Sequence, residues 1–195
     1  MTNQTPPPVV RLKHTRNRTP TGKRTATPAR KAAVYFAFGQ KANQSEGKQR
    51  GDWLGPGGER HKHEDVLVWA QGQARQHEHT FQALLSVPQA RLTGGDYARA
   101  LEAAGQIEAW RMVVHNDTNY SHAHVLFFRD RRLPRDQFDK WQAQVQQELA
   151  VLEEKRLAEP ERFAESERFA ESERQVEAVM EMTEAAHARR GPELG

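Results

Sequence analysis

The fold can be worked out from residues Val113 to Phe128, which read V-V-H-N-D-T-N-Y-S-H-A-H-V-L-F-F and contain three of the nine histidines. Two runs rich in Trp, Val, Leu and Phe, Ile107 to His115 and His122 to Phe128, flank the loop Asn116 to Tyr120. Such runs are typical of strands, and the short polar loop between them predicts an antiparallel hairpin.

The three histidines of this hairpin are predicted to converge on one point. Side chains alternate between the faces of a strand, so His122 and His124 point the same way, and His115 can join them from the end of the partner strand. Three neutral imidazoles suit a divalent metal, Mg²⁺, Mn²⁺ or Zn²⁺, and leave positions open for water or a phosphate oxygen. Asp117 is predicted to orient one of the histidines. The alternative is a polar, outward-facing strand without metal.

Composition limits the classes of protein to which the chain can belong. With 195 residues there is room for one domain and its tails. There is no cysteine, so a metal must bind His, Asp or Glu. The sequence has no apolar run long enough to cross a membrane and no apolar segment after the basic N-terminus, which predicts a soluble, cytoplasmic protein with no membrane segment.

Charge divides the chain into three predicted parts. Residues 1–31 hold eight Lys or Arg and no acid, and their Pro and Thr content predicts a disordered basic arm that binds a phosphate backbone or only aids solubility. Residues 32–152 form the predicted folded domain. Residues 153–195 form a predicted charged helical tail, in which the hexapeptide E-R-F-A-E-S occurs in tandem at 161–166 and 167–172.

The folded part is predicted to be α+β, with a mainly antiparallel sheet, helices on one face and the metal site on the other, followed by a long C-terminal helix. The first segment, Ala32 to Phe38, reads as a strand or the start of a helix. The pattern predicts these further elements: helix Glu64 to Gln76, strand Thr80 to Val87, helix Thr93 to Ala104 capped by Thr93, and a helix beginning at Pro134 with an apolar stripe at Phe138, Trp141, Val145, Leu149 and Leu152.

Two stretches outside the hairpin are candidates for binding nucleic acid. The glycine-rich segment Gly39 to Arg60 is predicted to be a long flexible loop, and the turn after the hairpin is basic. Trp53 is predicted either to stack on a base or to anchor the loop. His61 and His63 form a second, weaker H-x-H pair. The candidate phosphate-binding cations are Lys41, Lys48, Arg50, Arg129, Arg131 and Arg132.

The hairpin motif resembles that of a known family. H-N-D-T-N-Y-S-H-A-H is similar to the H-x-D-x-x-x-x-H-x-H motif of conjugative and mobilisation relaxases, which are HUH endonucleases, and its surroundings look most like the MobP type. The tyrosine in A-V-Y-F-A-F-G-Q, Tyr35, resembles their N-terminal tyrosine motif, and Leu85-Ser86-Val87-Pro88 resembles their second motif. The similarity extends from about residue 32 to about residue 149.

This resemblance implies an enzyme of plasmid mobilisation and conjugation. It would nick and rejoin single-stranded DNA at a transfer origin, site- and strand-specifically, through a 5′-phosphotyrosine on Tyr35 and a metal on His115, His122 and His124. Tyr120 is the second candidate nucleophile, whereas Tyr97 fits a packing role. Accessory or coupling proteins of a transfer system are the implied partners. Rolling-circle initiators carry their tyrosine after the histidine motif, and no tyrosine follows it here.

Two other functions remain open from the sequence. One is a three-histidine hydrolase that uses a metal-bound hydroxide, in which Tyr35 belongs to the core. The other is a DNA-binding accessory protein or catalytically degenerate relaxase, which keeps the metal site and has lost the nucleophile. A covalent protein-DNA product distinguishes both from an active relaxase.

Overall fold

The computed structural model describes residues 6–39, 49–116 and 121–158. Within these ranges the chain forms six strands and four α-helices. The strands are β1 Val9–Arg16, β2 Trp53–Leu54, β3 Arg60–His61, β4 His79–Ser86, β5 Trp110–His115 and β6 His122–Arg129. The helices are α1 Thr27–Phe38, α2 His63–Gln76, α3 Gly94–Ala104 and α4 Arg135–Ala158. The α+β class and the C-terminal helix of the prediction are confirmed.

The strands form one antiparallel sheet in the order β1-β4-β6-β5-β2-β3. Alternation along β6 separates its two faces. Ala123, Val125 and Phe127 pack in a core with α3 and α4, while Leu126 and Phe128 pack in a second core with α1 and α2. The prediction of helices on one face only was therefore wrong, because two amphipathic pairs of helices each need an apolar surface to cover.

The N-terminal arm is the main departure from the predicted domains. Residues 9–16 form the edge strand β1, paired with β4 along its whole length, and not a disordered arm. Asn17 follows it, fully buried: its side chain donates to the His77 carbonyl oxygen at 3.0 Å and accepts from the Thr80 hydroxyl at 2.6 Å. Long-range pairing and these bonds order a segment with little apolar content of its own.

The carboxylate of Glu78 binds two arginines in the segment between β1 and α1. Glu78 accepts from Arg18 at 2.7 Å and lies 2.9 Å from a guanidinium nitrogen of Arg24. The hydrogen bond from Arg18 holds the pKa of Glu78 at about 2. Two of the eight cations of the predicted arm therefore have a partner within the fold.

Helix α4 carries the predicted stripe and also covers the sheet edge. Trp141, Val145, Leu149 and Leu152 are buried against the first core, and Phe138 packs at its margin. The Gln142 side chain donates to the Val10 carbonyl oxygen at 2.8 Å, and Gln146 donates to that of Pro8 at 2.9 Å. The helix therefore satisfies backbone groups at an edge that would otherwise be open.

The other helices and strands follow the sequence closely. The helix and strand predicted for residues 64–76 and 80–87 are present as α2 and β4. Helix α3 begins with the predicted cap, since Thr93 accepts from the Asp96 amide and Asp96 accepts from that of Thr93. The segment from Ala32 belongs to a helix, α1, and the described part of the loop at 39–60 contains β2, a short 3-10 turn Pro56–Gly58 and the start of β3.

Contacts divide the chain into two compact units, Met1–Lys155 and Arg156–Gly195. Residues 153–158, assigned to the predicted tail, are the end of α4, and the rest of that tail, with its tandem hexapeptide, lies outside the described residues. Of the helices in the part of the chain that the structure describes, none combines the length and the apolar character that crossing a membrane requires.

Candidate metal centre

The hairpin register brings the three histidines together. His115 pairs directly with His122, and Val113 pairs with His124, so all three side chains lie on the α1 face of the sheet. Their ring centroids are 4.9 to 5.3 Å apart. One nitrogen from each ring can be chosen so that all three lie within 4.8 Å of one another. The predicted convergence is confirmed, and within the described residues it is the one group of three such side chains with this geometry.

Helix α1 sets the orientation of His115. This ring is fully buried, and its Nε2 lies 2.7 Å from the carbonyl oxygen of Phe36. A carbonyl can only accept, so Nε2 carries the proton and Nδ1 presents its lone pair. That Nδ1 lies 3.2 Å from Nε2 of His122. Two nitrogens at this separation can both reach one ion at metal–nitrogen lengths of ~2.1 Å, so the donor set fits a divalent metal.

His124 is held neutral in the same place. Burial, then the neighbouring imidazoles His115 and His122, and then the cations Arg50 and Lys13, lower its pKa to about 3. The Phe36 ring stacks on it, with centroids 4.6 Å apart and an interplanar angle of 22°. A neutral imidazole keeps a lone pair for a metal, so the third ligand is available at neutral pH.

Tyr35 lies beside this centre. It is next to Phe36 near the end of α1, it is 45% exposed, and its ring centroid is 6.3 Å from that of His124. The structure therefore places the first candidate nucleophile next to the three-histidine cluster. Tyr97 has the packing role expected of it: it is fully buried, and burial raises the pKa of its phenol. Asp117 and Tyr120 lie outside the described residues.

A buried network that the sequence did not suggest holds the start of β6. Ser121 is fully buried, and its hydroxyl donates to the Leu92 carbonyl oxygen at 3.0 Å. Its own carbonyl oxygen accepts from Tyr97 at 2.8 Å and from Ser86 at 3.3 Å. Because Ser121 precedes His122 directly, these bonds fix the position of that ligand. A lone serine in a polar loop gives no sequence signal for this role.

Among the predicted DNA-binding cations, the structure places Arg50 near the centre. Its backbone N–H donates to the Ala37 carbonyl oxygen at 2.8 Å, and its charge helps to lower the pKa of His124. Lys41 and Lys48 lie outside the described residues.

The basic turn after the hairpin is in a different place from the one predicted. β6 runs from His122 to Arg129, which puts Arg129 about 20 Å from His122 at ~3.3 Å per residue, and Arg131 and Arg132 follow beyond that end of the strand. Odd-numbered residues of β6 also face away from the histidines, and Arg129 donates to the Gln106 carbonyl oxygen at 2.9 Å. The interpretation of this turn as adjacent to the metal was wrong.

Trp53 and His63 form a buried pair and not a binding surface. Trp53 is fully buried, so it anchors the chain and does not stack on a base. Its indole N–H donates to Nδ1 of His63 at 3.2 Å. Since that nitrogen already accepts a hydrogen bond, the H-K-H pair is not supported as a second metal site.

The cations of β1 were missed as parts of the site. Lys13 is close enough to His124 to affect its pKa, and it lines two cavities of about 680 and 390 Å³ beside α1. The available signal was the alternation of Val10 and Leu12 with Arg11 and Lys13, which is typical of a strand with one buried face.

Comparison with protein-family models, with curated proteins and with solved structures found no match to this chain.

Proposed function

We propose that this chain is a metal-dependent DNA transesterase that nicks and rejoins single-stranded DNA through a tyrosine intermediate. One observation carries the proposal: the exposed side chain of Tyr35 lies next to His124 of a three-histidine cluster, although the two are far apart in the sequence. A nucleophile beside a cationic centre with open positions suits transfer of a phosphoryl group.

The side chains of the centre prepare a place for a phosphodiester. His115 is fixed by the Phe36 carbonyl with its Nδ1 toward His122, and His124 is kept neutral, so each ring has a lone pair available. When bound, a divalent ion polarises the scissile phosphate and offsets charge that develops on its oxygens. Mg²⁺ or Mn²⁺ fits phosphate chemistry best, and Zn²⁺ fits the imidazole donors. Arg50 and Lys13 add positive potential at the same point.

The reaction is an exchange of one ester for another. The phenolic oxygen of Tyr35 forms a bond to phosphorus while the bond from phosphorus to the 3′ oxygen breaks. The phenol gives up its proton, and the departing 3′ oxygen takes one up to become a hydroxyl. The product is a 5′-phosphotyrosine, and attack on it by a 3′-hydroxyl reverses the steps and rejoins the strand without an external energy source.

The biological setting rests on the motif resemblance. A tyrosine segment ahead of the histidine motif matches the order found in mobilisation relaxases, so the substrate is the transfer origin of a mobilisable plasmid in the cytoplasm. Accessory or coupling proteins of the transfer system are then its protein partners.

The proposal is tested by looking for the covalent product. The full chain is incubated with Mn²⁺ or Mg²⁺ and single-stranded oligonucleotides that tile the neighbouring DNA, and a denaturing gel detects a protein-DNA adduct. We expect an adduct in the parent protein and its loss in Tyr35→Phe, because only the attacking hydroxyl is removed. Tyr120→Phe should still form it.

Other outcomes of this experiment support a different nucleophile or a different function. An adduct that persists in Tyr35→Phe but vanishes in Tyr120→Phe moves the nucleophile to Tyr120. Cleavage without any adduct supports the hydrolase with a metal-bound hydroxide. DNA binding with neither cleavage nor adduct supports the accessory or degenerate protein.

A further inference from the structure

A groove extends from the metal centre along the outside of α1. Its two cavities, about 390 and 680 Å³, share Lys13, Tyr35 and Gln82 as lining residues, so they adjoin each other. The smaller reaches His124 and Phe36, and the larger reaches Thr27 at the other end of α1.

Helix α1 forms one wall of the groove and strand β1 forms the other, and the side-chain periodicity of each decides which residues line it. Thr27, Lys31 and Tyr35 are four residues apart and form one stripe along α1. The opposite wall is β1, whose Lys13 and Thr15 alternate onto the same face of the sheet. Gln82 of β4 lies between the walls, because it pairs with Lys13. The core that α1 and α2 form with the sheet contains residues of β2, β5 and β6 but none of β1. The face of β1 beside α1 is therefore left uncovered by that core.

The chemistry of the walls suits an extended polyanion. Lys13 and Lys31 are exposed cations, and Arg11 adds a third at the end near His124. Threonine hydroxyls supply neutral hydrogen-bond donors beside them. Among the described lining residues of both cavities there is no carboxylate to repel a phosphate.

We infer that the single strand to be cleaved lies in this groove between α1 and β1, with backbone phosphates beside Lys13 and Lys31 and its scissile phosphate at Tyr35. This inference rests on the proposed function. From Thr27 to Tyr35 the helix rises about 12 Å at ~1.5 Å per residue.

The groove replaces the path that the sequence suggested along the basic turn. Arg131 and Arg132 lie beyond the end of β6 that is remote from the histidines. A strand bound there would not reach Tyr35 without crossing the sheet. Lys13 and Lys31, in contrast, line one continuous groove with it.

The test measures binding separately from cleavage. Full-length Tyr35→Phe, which is expected not to turn over, is titrated with a fluorescent single strand over a range of salt concentrations. The strand is one that the parent protein nicks or, if it nicks none, one of mixed sequence. Lys13→Gln and Lys31→Gln are added singly and together. Lys140→Gln is the matched control, since Lys140 is an exposed lysine on α4, which packs on the opposite face.

Each groove variant should remove one phosphate contact. The slope of log affinity against log salt then falls by about 0.7 per lysine, which is roughly fivefold in affinity at about 0.1 M salt. Lys140→Gln should leave both values unchanged. The inference is overturned if the groove variants bind like their parent, or if Arg131→Gln with Arg132→Gln causes the loss instead.

The result is separable from that of the proposed function. If the groove variants lose affinity while the parent protein forms no adduct, the groove is supported as a DNA-binding site and the transesterase activity is refuted. If the double lysine variant forms the adduct and binds DNA with undiminished affinity, the transesterase activity is supported and the groove is refuted as the DNA-binding site.

Discussion

Two groups of histidines on opposite faces of this sheet have nearly the same spacing but different surroundings. His14 of β1 and His79 of β4 have ring centroids 5.4 Å apart, against 4.9 to 5.3 Å in the triad of His115, His122 and His124. The triad has a third ring and a carbonyl that fixes the tautomer of His115. His79 is buried, and neither of its ring nitrogens has a hydrogen-bond partner in the structure.

The difference shows that closeness of imidazoles is not enough for a metal site. A ligand ring must be turned so that its lone pair points inward, and a hydrogen bond to the other nitrogen does this. Nearby cations do not distinguish the two groups, since Arg132 lowers the pKa of His14, after burial as the main cause, and Arg50 and Lys13 help to lower that of His124. His79 lacks such a hydrogen bond, whereas the triad brings one nitrogen from each of three rings within 4.8 Å of one another.

Removing a ring from each group should have the largest effect on this comparison. We expect His122→Ala to abolish metal binding and DNA cleavage together, because a ligand is lost, with a fall in affinity beyond the ~10- to 100-fold that loss of an outer partner causes. His14→Ala, the control on the other face, should bind metal like the parent. Calorimetric titration with Mn²⁺ or Zn²⁺ measures both. Retained nicking by His122→Ala would refute the assignment of the ligands.

A smaller effect is expected from the ring that stacks on His124. Phe36→Leu removes this stacking while the backbone carbonyl that binds His115 remains, so metal affinity should fall by about tenfold. Phe38→Leu is the matched control: it lies on the same helix, but its ring contacts His63, with centroids 4.9 Å apart. Phe36 is buried and Phe38 is partly buried, so Phe36→Leu loses more buried apolar area.

The comparison of these two variants separates positioning from stability. Urea unfolding should show a loss of stability for both, larger for the more deeply buried Phe36, whereas only Phe36→Leu should change the absorption spectrum of bound Co²⁺. If Phe38→Leu changes metal affinity and spectrum equally, Phe36 has no special role in orienting the ligands.

An effect separate from metal binding is expected on stability in acid. Without metal, His124 has a folded pKa of about 3, below the ~6.5 of an unfolded histidine. Its contribution is fully present above pH 6.5, and it is lost as the pH falls toward 3, because only the unfolded chain takes up the proton. The slope from one such group is at most ~1.4 kcal/mol per pH unit.

Urea unfolding of the metal-free protein at several pH values between 3 and 7 measures this slope. His124→Gln should flatten it, while His14→Gln should change it less, since His14 is largely exposed. An unchanged slope in His124→Gln would show that this ring takes up its proton equally in both states.

The parts of the fold that could be predicted from the sequence are those whose signals are local. The hairpin has strong alternation on both sides of a short loop, and the α3 cap is contained in four residues, T-G-G-D from Thr93. In each case the interacting groups are close along the chain, so the pattern already contains the contact.

The parts that could not be predicted depend on distant contacts. β1 has only Val10 and Leu12 as apolar markers, and its order comes from β4, about seventy residues later. Trp53 lies in a polar, glycine-rich stretch, and its burial depends on α1 and α2. Arg129 is five residues from His124 in sequence, yet it lies at the opposite end of the extended strand β6. Because the two residues are an odd number of positions apart, their side chains also point to opposite faces of the sheet.

The hydrogen bond from His115 to the main chain of Phe36 constrains which changes the chain can tolerate over evolution. A carbonyl oxygen is present whatever side chain position 36 carries, so substitutions there leave the tether in place. An insertion or deletion within α1 differs, because one residue turns a helix by about 100°. It would move the tether and Tyr35 together out of register with the hairpin. The segment between Thr27 and Phe38 should therefore vary in composition among descendants of this chain but keep its length.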